Sequence, residues 1–227
     1  MNDSGSIVLF DFDGTVATGP GPVLAYARAA AAALPEDEGV RLVRRVTADL
    51  DRRPPVDGVL PLDGYDLVRL LATRAGVGAD DLDAAYLASR ELLAGPHAAV
   101  VAPDGLAGLL QALRSQVRVV LATNAPDIRL AAALDQLGLA DGFDEVIASA
   151  AKPAMLPALL DRLGAGSPHT QRVLSVGDVW ANDLAPVHAC GHATALVGEV
   201  PPGAAPTFHA PDLPSLYPSI TGWARSA

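Results

Sequence analysis

The stretch "VLFDFDGTV", residues 8 to 16, runs four apolar or aromatic side chains into two aspartates and then breaks on a glycine. In a strand, side chains two apart point the same way, so Asp11 and Asp13 converge at one mouth of the strand while Phe12 points elsewhere. Two close carboxylates repel, and such a site must share a proton or recruit a cation. A hard divalent ion that takes oxygen ligands, most simply Mg²⁺, resolves the conflict. Gly14 relaxes the backbone after the pair and lets successive amides turn toward an anion, which makes Phe12 and Gly14 candidate phosphate contacts. A strand end closed by an Asx-type turn explains the same residues without chemistry.

Three further strand ends carry polar residues of matching chemistry. "VVLATNA" finishes on Thr123 and Asn124, hydrogen-bonding groups suited to a phosphoryl oxygen and equally to capping the next helix. "AAKP" sets Lys152 at a helix start, the unfavourable end of the dipole for a cation, where its role would be to neutralise transferred charge. Lys152 is also the only lysine beside fifteen arginines. Either a surface lysine survived by chance or this place needs a compact ammonium, which a planar guanidinium cannot replace. "VLSVGDVWAND" puts Asp178 at the mouth of an apolar strand, with Asp183 five residues on. The first suits direct metal ligation and the second a metal-bound water or the lysine, while Asn182 or Asp183 also suits a helix cap.

The elements that must position these residues alternate between short apolar runs and helical patterns, as in a parallel sheet wrapped by helices. Strands are expected at Ile7 to Asp11, Val117 to Thr123, Glu145 to Ala148, Val173 to Gly177 and Ala193 to Val197. A parallel crossover needs a dozen or so residues, yet about a hundred separate the first strand from the second. Four helical patterns fill that interval, at Val23 to Leu34, Gly39 to Leu50, Tyr65 to Ala75 and Asp80 to Leu93, between Gly/Pro-rich segments. The expected organisation is a catalytic core of residues 1–16 and 96–227 with a small all-helical cap at 17–95.

Composition bounds the function. The chain has 227 residues and a formal charge of −10, with no basic cluster larger than an arginine pair, so a nucleic-acid partner is not expected. One cysteine, Cys190, excludes an internal disulfide and a thiolate metal cluster. The opening apolar run is too short for a signal peptide or a membrane span, and a cytoplasmic protein with no membrane partner is expected.

Taken together, DFDGT at 11 to 15, Thr123-Asn124, Lys152-Pro153 and GDVWAND at 177 to 183 resemble the four motifs of the haloacid dehalogenase-like hydrolases, in that family's order. The resemblance implies a three-layer Rossmann-like α/β core whose parallel sheet is ordered 5-4-1-2-3. It implies that Asp11 attacks phosphorus and becomes an aspartyl-phosphate, and that Asp13 protonates the leaving alcohol and then deprotonates water. Thr123 and Lys152, with Asn124, would hold the phosphoryl oxygens. Asp11, the main-chain carbonyl of Asp13 and Asp178 would bind Mg²⁺, with Asp183 behind. Members that cleave carbon–halogen bonds lack the second aspartate, so Asp13 favours a phosphatase acting on a small phosphorylated metabolite. A sugar phosphomutase is the rival within the family, and a non-catalytic phospho-aspartate signalling or binding protein is the rival outside enzymology.

Two departures from the family pattern bear on Lys152 and its neighbours. The link "IASAAKP" is short, with Pro157 close behind, and the second motif reads TNA, whose third position has no side-chain donor. The histidines at 97, 169, 188, 192 and 209 show no metal-ligand spacing. Cys190 and Trp180 read as packing residues, and Arg52-Arg53 with Asp57 as a solvated break that could instead grip an anion.

Overall fold

The computed structural model describes residues 5–165 and 171–226; His169 and the polar start of the chain before Gly5 lie outside them. Five buried or half-buried strands match the expected runs: β1 Ser6–Phe10, β2 Arg118–Ala122, β3 Glu145–Ile147, β4 Arg172–Gly177 and β5 Ala193–Val197. These five pair in parallel, in the order β3-β2-β1-β4-β5. The implied order 5-4-1-2-3 is the same run read from the opposite edge, and the difference is a sixth strand, β6 Phe208–Ala210, added beside β5. Every side chain of β1 is buried, which is why Ile7–Phe10 runs apolar without a break rather than alternating.

The helices in chain order are α1 Gly21–Ala31, α2 Glu36–Asp49, α3 Gly64–Arg74, α4 Ala79–Arg90, α5 Leu106–Arg114, α6 Leu130–Gln136, α7 Leu156–Arg162, α8 Ala185–Ala189 and α9 Leu213–Arg225. Pro157 falls within the first turn of α7, where a missing N–H costs nothing, so it accommodates the helix start rather than breaking it. Sequence reasoning missed β6 and α9. Three residues are too short for an alternation signal, and Pro214 and Pro218 both read as helix breakers. The start of α9 is instead set by Asp212, whose carboxylate accepts from the Ser215 N–H at 2.9 Å.

The chain divides into two compact units. One comprises residues up to Thr18, Val101–Asp127 and Leu134 onward, and it holds the sheet. On one side of that sheet Ile7, Leu9, Val120 and Val173 pack against Leu156, Leu160 and Val187 of α7 and α8. The other unit comprises Gly19–Val100 together with Ile128–Ala133. Its own core joins Tyr26, Ala27 and Ala30 of α1 to Leu42 and Val46 of α2, Val68 and Ala72 of α3, and Leu82 and Ala85 of α4. No helix among the described residues is long and apolar enough to cross a membrane.

Candidate active site

All four polar strand ends belong to the sheet unit, and β1, β2 and β4 are neighbours in the sheet. The Asp11 N–H donates to the Val176 carbonyl at 2.9 Å, which continues the β1–β4 ladder one residue past the strand. The Phe12 side chain then drops into the core, and its carbonyl accepts from the amides of Thr15, Val16 and Ala17. That turn folds DFDGT back on itself, and what Phe12 can still offer an anion is its main-chain N–H.

Lys152 closes the centre. Its Nζ donates to Asp11 Oδ1 at 2.6 Å and to Asp183 Oδ1 at 2.7 Å, with its side chain only 3% exposed. Asp183 is locked from three sides. Its Oδ2 accepts from the Val179 N–H at 3.1 Å, and its carbonyl accepts from the buried Ser175 hydroxyl at 2.8 Å. A Cβ on Gly177 would lie 2.6 Å from the Asp183 Cβ, so glycine is required there for the close approach. A single π-helical turn, Trp180–Leu184, carries Asp183 back toward its own strand end.

Asp11, Asp178 and Asp183 each place a carboxylate oxygen within 4.8 Å of the others. Three carboxylates and one ammonium leave a local charge of −2, which a divalent cation with oxygen ligands would cancel. The donor set therefore fits a hard divalent ion. Burial pushes the Asp11 carboxyl up to about 7, Asp183 adds to this, and the Lys152 ammonium only partly offsets it. Burial pulls the Lys152 ammonium the other way, but Asp11 and Asp183 outweigh it and hold the proton more firmly than on a free lysine. The ammonium thus stays charged while Asp11 sits where further positive charge is needed to keep it ionised.

Asp13 is half-buried and close enough to act electrostatically on Asp11. Thr123 is 1% exposed, and its Oγ1 accepts from the Ala125 N–H at 3.0 Å, which leaves the hydroxyl proton available to an anion. Both ends of the Asn124 amide engage the main chain of Lys152. Ser175 and Gly177 were missed, although a lone serine and a terminal glycine in the otherwise apolar run "VLSVG" were the available signal.

The residues not promoted fall elsewhere. The His192 ring contacts the Ala165 carbonyl through Nε2 at 2.8 Å, and the Trp180 ring lies 5.6 Å from that of His188. Asp57 pairs with Arg74 at 2.7 Å on the surface of the helical unit. Cys190 is half-buried against the sheet unit's core.

Gly14 has φ +90°, and a Cβ there would overlap the Asp178 carboxylate. Gly14→Ala is therefore expected to displace Asp178, lowering divalent-cation affinity by about tenfold or more, as happens when a site's supporting contacts are lost. Titration calorimetry with Mg²⁺ measures this, and an unchanged circular dichroism spectrum would localise the loss to the site.

A family model described as haloacid dehalogenase-like hydrolase matches residues 6–191. This chain belongs to the haloacid dehalogenase-like hydrolases. Among solved structures of that family, the Bacillus subtilis protein YfnB, described as a HAD-hydrolase bound to magnesium, superposes with a TM-score of 0.62 at 19% identity. That alignment covers 95% of this chain and 98% of the other. A protein from Haemophilus somnus 129pt, described as a predicted phosphoglycolate phosphatase, gives 0.62 at 18% identity, covering 98% and 99%. A 2-haloacid dehalogenase from Pseudomonas syringae pv. Tomato gives 0.55 at 18% identity, covering 98% and 99%. At these identities the likeness speaks to the fold, which serves more than one chemistry in this family. No curated protein matches the sequence.

Proposed function

We propose that this hydrolase is a Mg²⁺-dependent phosphatase that releases phosphate from a small phosphorylated metabolite through an aspartyl-phosphate on Asp11. The observation that carries the reading is the Lys152 ammonium held between Asp11 and Asp183 beside the Asp178 carboxylate. That centre offers a nucleophile, a fixed positive charge and a carboxylate set for a divalent ion, which is what a loose phosphoryl-transfer transition state asks for. Asp13 favours phosphate esters over halides, because an alcohol leaving group needs a proton and a halide does not.

An Asp11 carboxylate oxygen attacks phosphorus as the bond to the leaving oxygen breaks, and Asp13 gives that oxygen its proton. Asp13 then takes a proton from water, which attacks the phosphorus and returns Asp11 to its starting state. Lys152 and Thr123 hold the phosphoryl oxygens in both steps. Mg²⁺, held by Asp11, the Asp13 carbonyl and Asp178 with Asp183 behind, would neutralise charge on the transferring group. The helical unit is assigned the choice of substrate, and neither nucleic acid nor membrane is a partner in this reading.

The test is inorganic phosphate release from a panel of phosphomonoesters with Mg²⁺ and with a chelator. Turnover that is lost with the chelator and restored by Mg²⁺ is expected. Dependence on a sugar bisphosphate would assign the phosphomutase reading instead, and halide release from 2-haloacids without phosphate release would overturn the proposal.

A further inference from the structure

The geometry points to Asn124 as the positioning residue of Lys152, acting on the reaction through that lysine and not by touching phosphate. This rests on the phosphatase reading and adds to it how the ammonium is held in place.

The parallel pairing of β2 and β3 ends at Ala122 and Ile147, but the two chains stay stitched beyond it. The Thr123 N–H donates to the Ile147 carbonyl at 2.9 Å, the Ser149 N–H to the Ala125 carbonyl at 2.8 Å and the Ala150 N–H to the Thr123 carbonyl at 2.9 Å. At the next position the ladder is made by a side chain. The Lys152 N–H donates to Asn124 Oδ1 at 2.6 Å, and Asn124 Nδ2 donates back to the Lys152 carbonyl at 2.8 Å. A primary amide carries an acceptor oxygen and a donor nitrogen on one carbon, so it can copy a strand edge and fix both main-chain groups of a single residue.

The need for this clamp follows from the short link "IASAAKP". Ser149 and Ala151 both adopt left-handed backbone, φ +50° and +51°, which carries a cost for residues with a side chain and persists only where surroundings hold it. With the Lys152 backbone fixed, its side chain can run buried to reach Asp11 and Asp183 together. An ammonium displaced by about 1 Å can cost on the order of 100-fold in rate.

Because Lys152 is the only lysine in the chain, [¹³C,¹⁵N]lysine labelling of the intact protein yields a single amide signal and a single side-chain set, both belonging to this residue. In Asn124→Ala, the amide is expected to exchange with solvent at least about tenfold faster, having lost its acceptor. The Cε signal should move toward that of an exposed lysine, with kcat down about 10- to 100-fold and KM changed far less. Asn124→Asp, of equal size, keeps the acceptor and loses the donor, so it should fall between wild type and Asn124→Ala. On a Lys152→Met background, Asn124→Ala should add no further loss, since both changes remove one function. Lysine signals unchanged in Asn124→Ala, or losses that multiply in the double variant, would overturn the assignment and make Asn124 a direct phosphate contact. If the wild type releases no phosphate, the phosphatase reading fails on its own, while the lysine signals still decide whether Asn124 positions Lys152.

Discussion

Asp11→Asn is expected to lower phosphate release by at least about 10³-fold while leaving the chain folded. Asparagine matches aspartate in shape, so the hydrogen bond from the Asp11 N–H to Val176 and the packing of β1 against β4 are kept. What disappears is the carboxylate oxygen proposed to form the bond to phosphorus. Among the neighbouring carboxylates, Asp183 is held by Val179 and Lys152, and the proposed roles of Asp178 and Asp13 are the metal and the leaving oxygen. The control is stability. The Asp11 carboxyl is raised to about 7 chiefly by burial, so the folded state loses stability as pH rises from 3.8 toward 7 and carries the whole penalty above that. Asparagine carries none of it. In chelator at pH 8 the variant is therefore expected to melt no lower than wild type, with the difference shrinking as pH falls below about 7. Calorimetry across that range with a malachite-green phosphate assay checks both arms, and turnover surviving the substitution would remove Asp11 as nucleophile.

The site was legible in the sequence to the extent that each residue ends an apolar run. Asp11, Asp178 and Lys152 interrupt or follow such runs; the structure gathers Asp11 with Asp178 and Asp183 because β1 lies beside β4, and Lys152 reaches them from beyond β3. Adjacency itself is a property of sheet order, which the spacing of the runs does not contain and which came only from the likeness to a family. Contacts made by the backbone were less visible. Nothing in "IASAAKP" announces two left-handed residues, so the short link looked like a limit on the reach of Lys152 when it is the path by which the lysine arrives. Asn124 illustrates the same gap, since its type suits a phosphate contact and a main-chain clamp equally well, and its two hydrogen bonds to the Lys152 main chain are visible only in the structure. At the far edge of the sheet, Pro214 and Pro218 hid α9, because a proline is tolerated in a first turn and a helix stabilised by tertiary packing survives another.

Lys152→Met is expected to give the second large effect, and one whose sign depends on the metal. Methionine keeps much of the aliphatic stem but removes the charge that joins Asp11 to Asp183 in a place only 3% exposed. Breaking a buried ion pair from one side costs about 3–5 kcal/mol, since the remaining charges keep their desolvation penalty and lose their partner. Metal-free Lys152→Met should therefore melt well below wild type and release phosphate far more slowly. The same loss removes the one positive charge beside the three carboxylates, so a divalent ion, which would then face no competing ammonium, should bind the variant more tightly than the wild type. Mg²⁺ should then raise the melting temperature of Lys152→Met by more than it raises that of wild type. Lys152→Arg separates charge from shape: a planar guanidinium does not fit where a compact ammonium donates to two carboxylates at 2.6 and 2.7 Å, so arginine should restore little turnover. Wild-type rates in Lys152→Arg would show that any cation serves, and the single lysine in a chain of fifteen arginines would lose its chemical reason.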